Sequence, residues 1–174
     1  MTRLFSLIIS FYLTLALVQI PFVNSLMPGF VKDIFAPSEM YYISVITPDK
    51  NFDISSDEYY DNLLPMKRDR IEKVLENTPG IEKLAPDYYV YEGESGSADI
   101  NLYTGDSEAD IMEIEFVFPY YSVSAAPDLI DTIVKIAKEI PGSRIFDYDQ
   151  RKLYRPDEKD KLISSVEEFV TGAD

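Results

Sequence analysis

The sequence predicts an α+β domain. It is expected to hold an antiparallel-rich sheet of about four to five strands with two main helices packed on one face. A C-terminal helix follows, and a hydrophobic helix precedes. Three observations point there. β-Branched and aromatic runs alternate with amphipathic stretches of helical period. Pro and Gly clusters punctuate the boundaries. Of the 174 residues, 46% are apolar and 27% charged, the balance of a globular chain with a real core.

The hydrophobic segment comes first. No charged residue lies between Arg3 and Lys32. The apolar stretch opens at Leu4 and reaches Val23 (residues 4–23), enough for the about 20 apolar residues that a membrane-crossing helix needs. Met1-Thr2-Arg3 is a short positive region, Pro21 breaks the helix, and Val23-Asn24-Ser25 suits a signal peptidase. Residues 1–25 are therefore expected to be a secretory signal cleaved after Ser25, or an uncleaved anchor with Pro21 at the membrane face. A buried helix in a soluble core is the third reading. Residues 26–39 read as a linker on Pro28, Gly29 and Pro37, which leaves residues 40–174 as a single acidic domain. The positive-inside count favours that domain outside the cytoplasm, exported or anchored, with a cytoplasmic-facing membrane protein as the alternative. The chain has no Cys and no Asn-x-Ser/Thr acceptor, which suits a bacterial envelope protein.

The domain's elements follow in order. Residues 41–47 are β-branched and aromatic and end at Pro48, a strand. Ser55-Ser56-Asp57-Glu58 is a helix-start signal. The helix passes Tyr60, Leu63 and Leu64, bends at Pro65, continues through Ile71, Val74 and Leu75, and stops at Pro79-Gly80. Residues 87–92, 98–104 and 111–120 read as strands, with turns at 93–96 and 105–106. In the third of these, Met112, Ile114, Phe116 and Phe118 share an apolar face while Glu113 and Glu115 share a wet one. A helix over 127–140 carries the stripe Leu129, Ile130, Ile133, Ile136, Ala137 and Ile140. Residues 144–148 form a strand on which 152–154 pairs back, and 158–170 close the chain as a helix. This order resembles the split βαβ arrangement of ferredoxin-like folds with an extra strand. The likeness is topological and implies no activity.

Much of the chemistry is settled by composition. There is no His and no Cys, so histidine bases and thiol nucleophiles are excluded. No Gly-rich phosphate loop is present. Gly93-Glu94-Ser95-Gly96-Ser97 misses the nucleophile-elbow pattern at its last position and reads as a hairpin turn. Asp106, Glu108 and Asp110 alternate as in a calcium loop, yet Ile111 and Val117 stand where that loop needs Gly and Glu. No cofactor is expected. Glycoside hydrolysis needs only two carboxylates, so a carboxylate-dependent hydrolase acting on envelope glycans stays open.

Charge is the positive signal. The formal net charge is −15, from 31 acids against 16 bases. Between Lys83 and Lys135 there are 11 acids and no base. Such a surface repels nucleic acid and anionic headgroups and steers basic proteins. Thirteen tyrosines add rings that suit protein recognition. The expected partner-binding residues are Glu113, Glu115, Asp99, Asp106, Glu108 and Asp110, with Tyr89, Tyr91 and Tyr103 as anchors. Charge reversal at Glu113 and Glu115 is expected to leave the apolar face intact. The leading expectation is a non-enzymatic, envelope-located binding protein that engages a basic protein partner. In size, acidity and lack of catalytic groups the chain resembles bacterial immunity-type proteins, though it carries no diagnostic motif of theirs. A structural subunit of a membrane complex is the further alternative.

Overall fold

A computed structural model describes residues 40–56, 59–94, 96–119 and 127–171. All fall in the second of the two units into which the chain divides, residues 39–174. The expected signal or anchor and the linker lie outside the described residues. Among the described residues no helix is long and apolar enough to cross a membrane.

The strands are β1 (Met40–Ile46), β2 (Met66–Lys67), β3 (Ile81–Ala85), β4 (Tyr88–Gly93), β5 (Gly96–Thr104), β6 (Asp110–Pro119), β7 (Arg144–Asp147) and β8 (Lys152–Tyr154). The helices are α1 (Arg68–Glu76), α2 (Pro127–Glu139) and α3 (Lys159–Thr171). The strands make one eight-stranded sheet of order β3-β4-β5-β6-β1-β7-β8, with β2 on β6. Every pairing is antiparallel. This overturns the expected sheet of four to five strands in ferredoxin-like order with helices packed on one face. The chain leaves β1, passes α1 and returns at the far edge as β3, so no split βαβ unit forms. β1 sits between β6 and β7, antiparallel to both.

Apolar packing also occupies both faces. On the first face, Tyr41, Ile43, Val45, Ile100, Ile114, Phe116, Phe118 and Ile145 share a core with the helices. α1 contributes Ile71 and Leu75, α2 Ile130, Ile133 and Ala137, and α3 Leu162 and Val166. On the second face, Ile46, Leu63 and Phe146 are buried beneath Phe52, Ile54, Tyr59, Met112, Tyr148 and Leu153.

The described residues 55–56 and 59–64 are not α-helical, contrary to the helix expected there. Asp53 accepts from the Ser55 amide at 2.9 Å and from its hydroxyl at 2.7 Å, a local turn that competes with helix. Only a 3-10 turn, Tyr59–Asn62, follows. Thr47 and Leu64 then meet, the Leu64 amide donating to the Thr47 carbonyl at 2.7 Å. Pro48 bridges Leu63 and closes a loop whose described residues Phe52, Ile54 and Tyr59 pack on the second face. At Gly80 the chain turns from α1 into β3 with φ 82°, and a Cβ there would lie 2.6 Å from the Glu92 carbonyl oxygen.

Candidate functional site

The second face is read row by row from the strand register. One row is Tyr88, Asn101, Glu115, Ser44 and Phe146 across β4, β5, β6, β1 and β7. Its neighbours are Val90, Asp99, Val117 and Tyr42 on one side and Tyr103, Glu113, Ile46 and Arg144 on the other. Opposed residues in antiparallel strands share a face, so all these side chains project together. On β4, β5, β6 and β1 this face carries no Lys or Arg.

Two tyrosines of the face, Tyr88 and Tyr103, are paired with carboxylates. Tyr103 donates to Glu115 Oε2 at 2.9 Å, and Asn101 Nδ2 donates to the same oxygen at 3.0 Å. Tyr88 donates to Asp99 Oδ1 at 2.6 Å. Burial, and then the bonded carboxylate Glu115, push the Tyr103 phenol up to about 12. The hydrogen bond to Asp99 raises Tyr88 as well. Each phenol therefore keeps its proton and holds its carboxyl acceptor in place. Tyr42 is 38% exposed and Tyr103 40%, so both rings stand in solvent beside those acceptors.

Glu113 is placed otherwise than expected. It is fully buried, not on a wet side. Tyr148 donates to its Oε1 at 2.7 Å, Ser44 donates to the same oxygen, and Tyr60 donates to Oε2. The Tyr59 hydroxyl stands 3.5 Å from Oε2 and bonds Tyr148. Burial raises the Glu113 carboxyl above its ordinary value, against the lowering by Ser44 and Tyr60. The same environment pushes Tyr60 far up and Tyr148 up to about 12. Glu113 is the polar clasp that holds the closed loop to the sheet.

The other expected residues divide. Tyr89 and Tyr91 are buried in the core of the first face and cannot anchor a partner. Asp106, Glu108 and Asp110 lie at the β5–β6 hairpin. Asp110 pairs with Lys67 at 2.6 Å, and the Glu108 carbonyl accepts from Arg68 Nε. Asp61, Asp106 and Asp110 line a 610 Å³ cleft together with Tyr60, Leu63, Pro65 and Met112. Among the described residues no group of three or more acids is placed to hold a metal ion. Sequence reasoning missed Tyr42, Tyr88 and Asn101 as members of the face. Alternation within β1, β4 and β5 puts them there, but only the order of strands shows that they adjoin.

A second buried carboxylate lies on the first face. Asp147 accepts from the Tyr41 hydroxyl at 2.7 Å and from Gln150 Nε2 at 3.3 Å. Burial raises its carboxyl and pushes Tyr41 far up. Gln150 Nε2 also donates to the Ser165 carbonyl at 2.6 Å, which ties α3 to the β7–β8 turn.

No protein-family model, curated protein or solved structure matches the chain. The chemistry of the face therefore carries the functional argument alone.

Proposed function

We propose that the open part of the second face is a docking surface for a basic protein partner, and that the protein is a non-enzymatic binder working at the cell envelope. Neutralising a basic toxin is the concrete form of this activity. One observation carries the reading. Four adjacent strands present exposed Tyr42 and Tyr103 beside Asp99 and Glu115, with no base on that face of those strands. Tyrosine supplies large contact area with few rotatable bonds, and a single-sign field steers encounter. The bonds Tyr103–Glu115 and Tyr88–Asp99 hold those phenols and carboxylates in place, so docking on them costs less side-chain entropy. The cleft that Tyr60 lines, with its three acids and its apolar Leu63, Pro65 and Met112, suits a long basic side chain.

The test begins with a tagged pull-down from the native host at low and high salt. Association of the recovered partner is then timed for the native protein and for Asp99→Asn with Glu115→Gln. Both changes keep an acceptor for Tyr88 and Tyr103, so the fold stands. The variant should associate several-fold more slowly at about 0.01 M salt, where the Debye length is about 30 Å, and the gap should close at higher salt. Equal rates at every ionic strength would reduce the acids of this face to a solubility feature.

A further inference from the structure

The bases of this chain are few, and their placement is uneven. Lys67, Arg68, Lys83, Arg155, Lys159 and Lys161 each lie within ion-pair distance of a carboxylate. Among the described residues Lys50, Lys138, Arg144 and Lys152 do not, and neither do Arg70, Lys73 and Lys135, although acids outnumber bases 31 to 16; these last three stand together. All three line one groove of 550 Å³ between α1 and α2, where Glu139 is the one acid. The floor is apolar, formed by Val74, Pro79 and Ile136. That volume falls within the range of about 300–1,000 Å³ typical of small-molecule sites.

Bases near helix C-termini often do no more than balance the helix dipole. Here other groups satisfy the terminal carbonyls. Asn77 Nδ2 donates to the Lys73 carbonyl at 2.6 Å, and the Thr78 hydroxyl donates to that of Val74 at 2.7 Å. Arg70 donates through Nε at 3.1 Å and Nη2 at 2.5 Å to the Glu139 carbonyl, which fixes its guanidinium at the groove wall. Lys135 lies before the last turn of α2, which ends at Glu139. Among the described residues neither ammonium group, Lys73 or Lys135, has a hydrogen-bond acceptor or ion-pair partner, and both are exposed beside the apolar part of the lining.

We propose that the groove between α1 and α2 binds a small amphiphilic anion, with its carboxylate or phosphate head on Lys73, Lys135 and Arg70 and its apolar body on Val74, Pro79 and Ile136. Charge complementarity selects the head, and the floor selects the tail. The site lies in the helix layer on the first face, so it is independent of the docking surface on the second.

The experiment uses the full chain and dodecanoate as probe, with binding followed by calorimetry below the micelle concentration. Dodecyltrimethylammonium tests the head charge, inorganic phosphate the need for a tail, and phosphatidylglycerol vesicles a headgroup source. Lys73→Glu with Lys135→Glu reverses both free charges, and Lys135→Met serves as the milder variant should the double one unfold. Dodecanoate should bind about tenfold more tightly than either the cationic analogue or phosphate, and the double variant should lose about tenfold. Lys135→Met should lose about threefold. Vesicle binding that the same substitutions abolish would identify a lipid headgroup as the anion; its absence, with dodecanoate bound, identifies a free amphiphile. Equal affinity for both head charges, or substitutions without effect on either anion, would overturn the proposal.

Discussion

Glu113 holds its carboxyl away from water, with Ser44, Tyr60 and Tyr148 as its hydrogen-bond donors and, among the described residues, no ion-pair partner. Burial lifts its pKa above the ordinary 4.5. The folded state then binds more protons than the unfolded chain over the window above 4.5. The stability from this group is fully present below that pH and is lost as pH rises through the folded pKa. Asp147 acts with the same sign above 3.8. In Glu113→Gln the first of these contributions is absent. Urea unfolding from about pH 5 to about pH 7 should show the native protein losing stability relative to the variant as pH rises. A constant difference across that window would mean that Glu113 titrates as an ordinary surface acid. The burial was not legible in the alternation of its strand, for two reasons. The pairing of β5 with β6 shifts register between Tyr103 and Thr104, leaving Met112 unmatched. Ile111 therefore joins the core of the first face, and Met112 joins the cluster on the second, the reverse of strict alternation. The cover over Glu113 comes from Tyr59, Tyr60 and Tyr148, which lie 54, 53 and 35 residues away. Glu115, Asp99 and Tyr103 are on the half-open face that the period-two pattern predicts, because no bulge intervenes between them and the turn at β4–β5. Charge reversal at Glu113 would place an ammonium inside this box, so the expectation that it leaves the fold intact does not hold.

At the scale of elements, the closed loop over the second face is held by packing as well as by Glu113. Phe52 meets Tyr59 and Phe146 edge-on, each at 6.2 Å between ring centroids. Phe52→Ala removes both contacts from a half-buried site. It should cost about 2 kcal/mol of stability, below the about 3–5 typical of a fully buried Phe. Urea denaturation measures it, and a loss under about 0.5 kcal/mol would show that the loop is not packed on the sheet. The sequence could not announce this loop, since Ser55-Ser56-Asp57-Glu58 satisfies local rules for a helix start while Asp53 diverts the backbone into a turn. β3 was hidden for a different reason. It is an edge strand whose residues are exposed apart from half-buried Ile81, so Glu82, Lys83 and Leu84 show no apolar alternation. α2 was legible along its length because it is buried on the stripe that its period marks. Leu129, Ile130, Ile133, Ile136 and Ala137 are all in the core.

For the whole molecule, charge is the dominant property. Two of the 16 bases, Arg3 and Lys32, precede every acid, so the chain beyond Lys32 carries 14 bases against 31 acids, a net −17. Self-repulsion of that size opposes compaction. The ion pairs that counter it are mostly at the surface: the Lys67 side chain is 74% exposed, Arg155 57% and Lys161 71%. Exposed pairs are each worth about 0–1 kcal/mol. Added salt screens attraction and repulsion alike, so its effect on stability reports which is larger. With 17 acids in excess, repulsion should dominate. Raising the salt from about 0.01 M to about 0.15 M shortens the Debye length from about 30 Å to about 8 Å and should raise the unfolding midpoint by about 2–4 °C. Asp99→Asn with Glu115→Gln removes two charges from the second face, and its midpoint should rise less with salt. If salt instead lowers the native midpoint, the network around Glu72, with Arg68 at 3.5 Å and Lys83 at 2.9 Å, outweighs the global field. The acids of the second face would then be tolerated at no cost to folding. A basic partner would then gain no relief of repulsion on docking, since a partner that neutralises a repelled surface gains the very stabilisation that salt supplies.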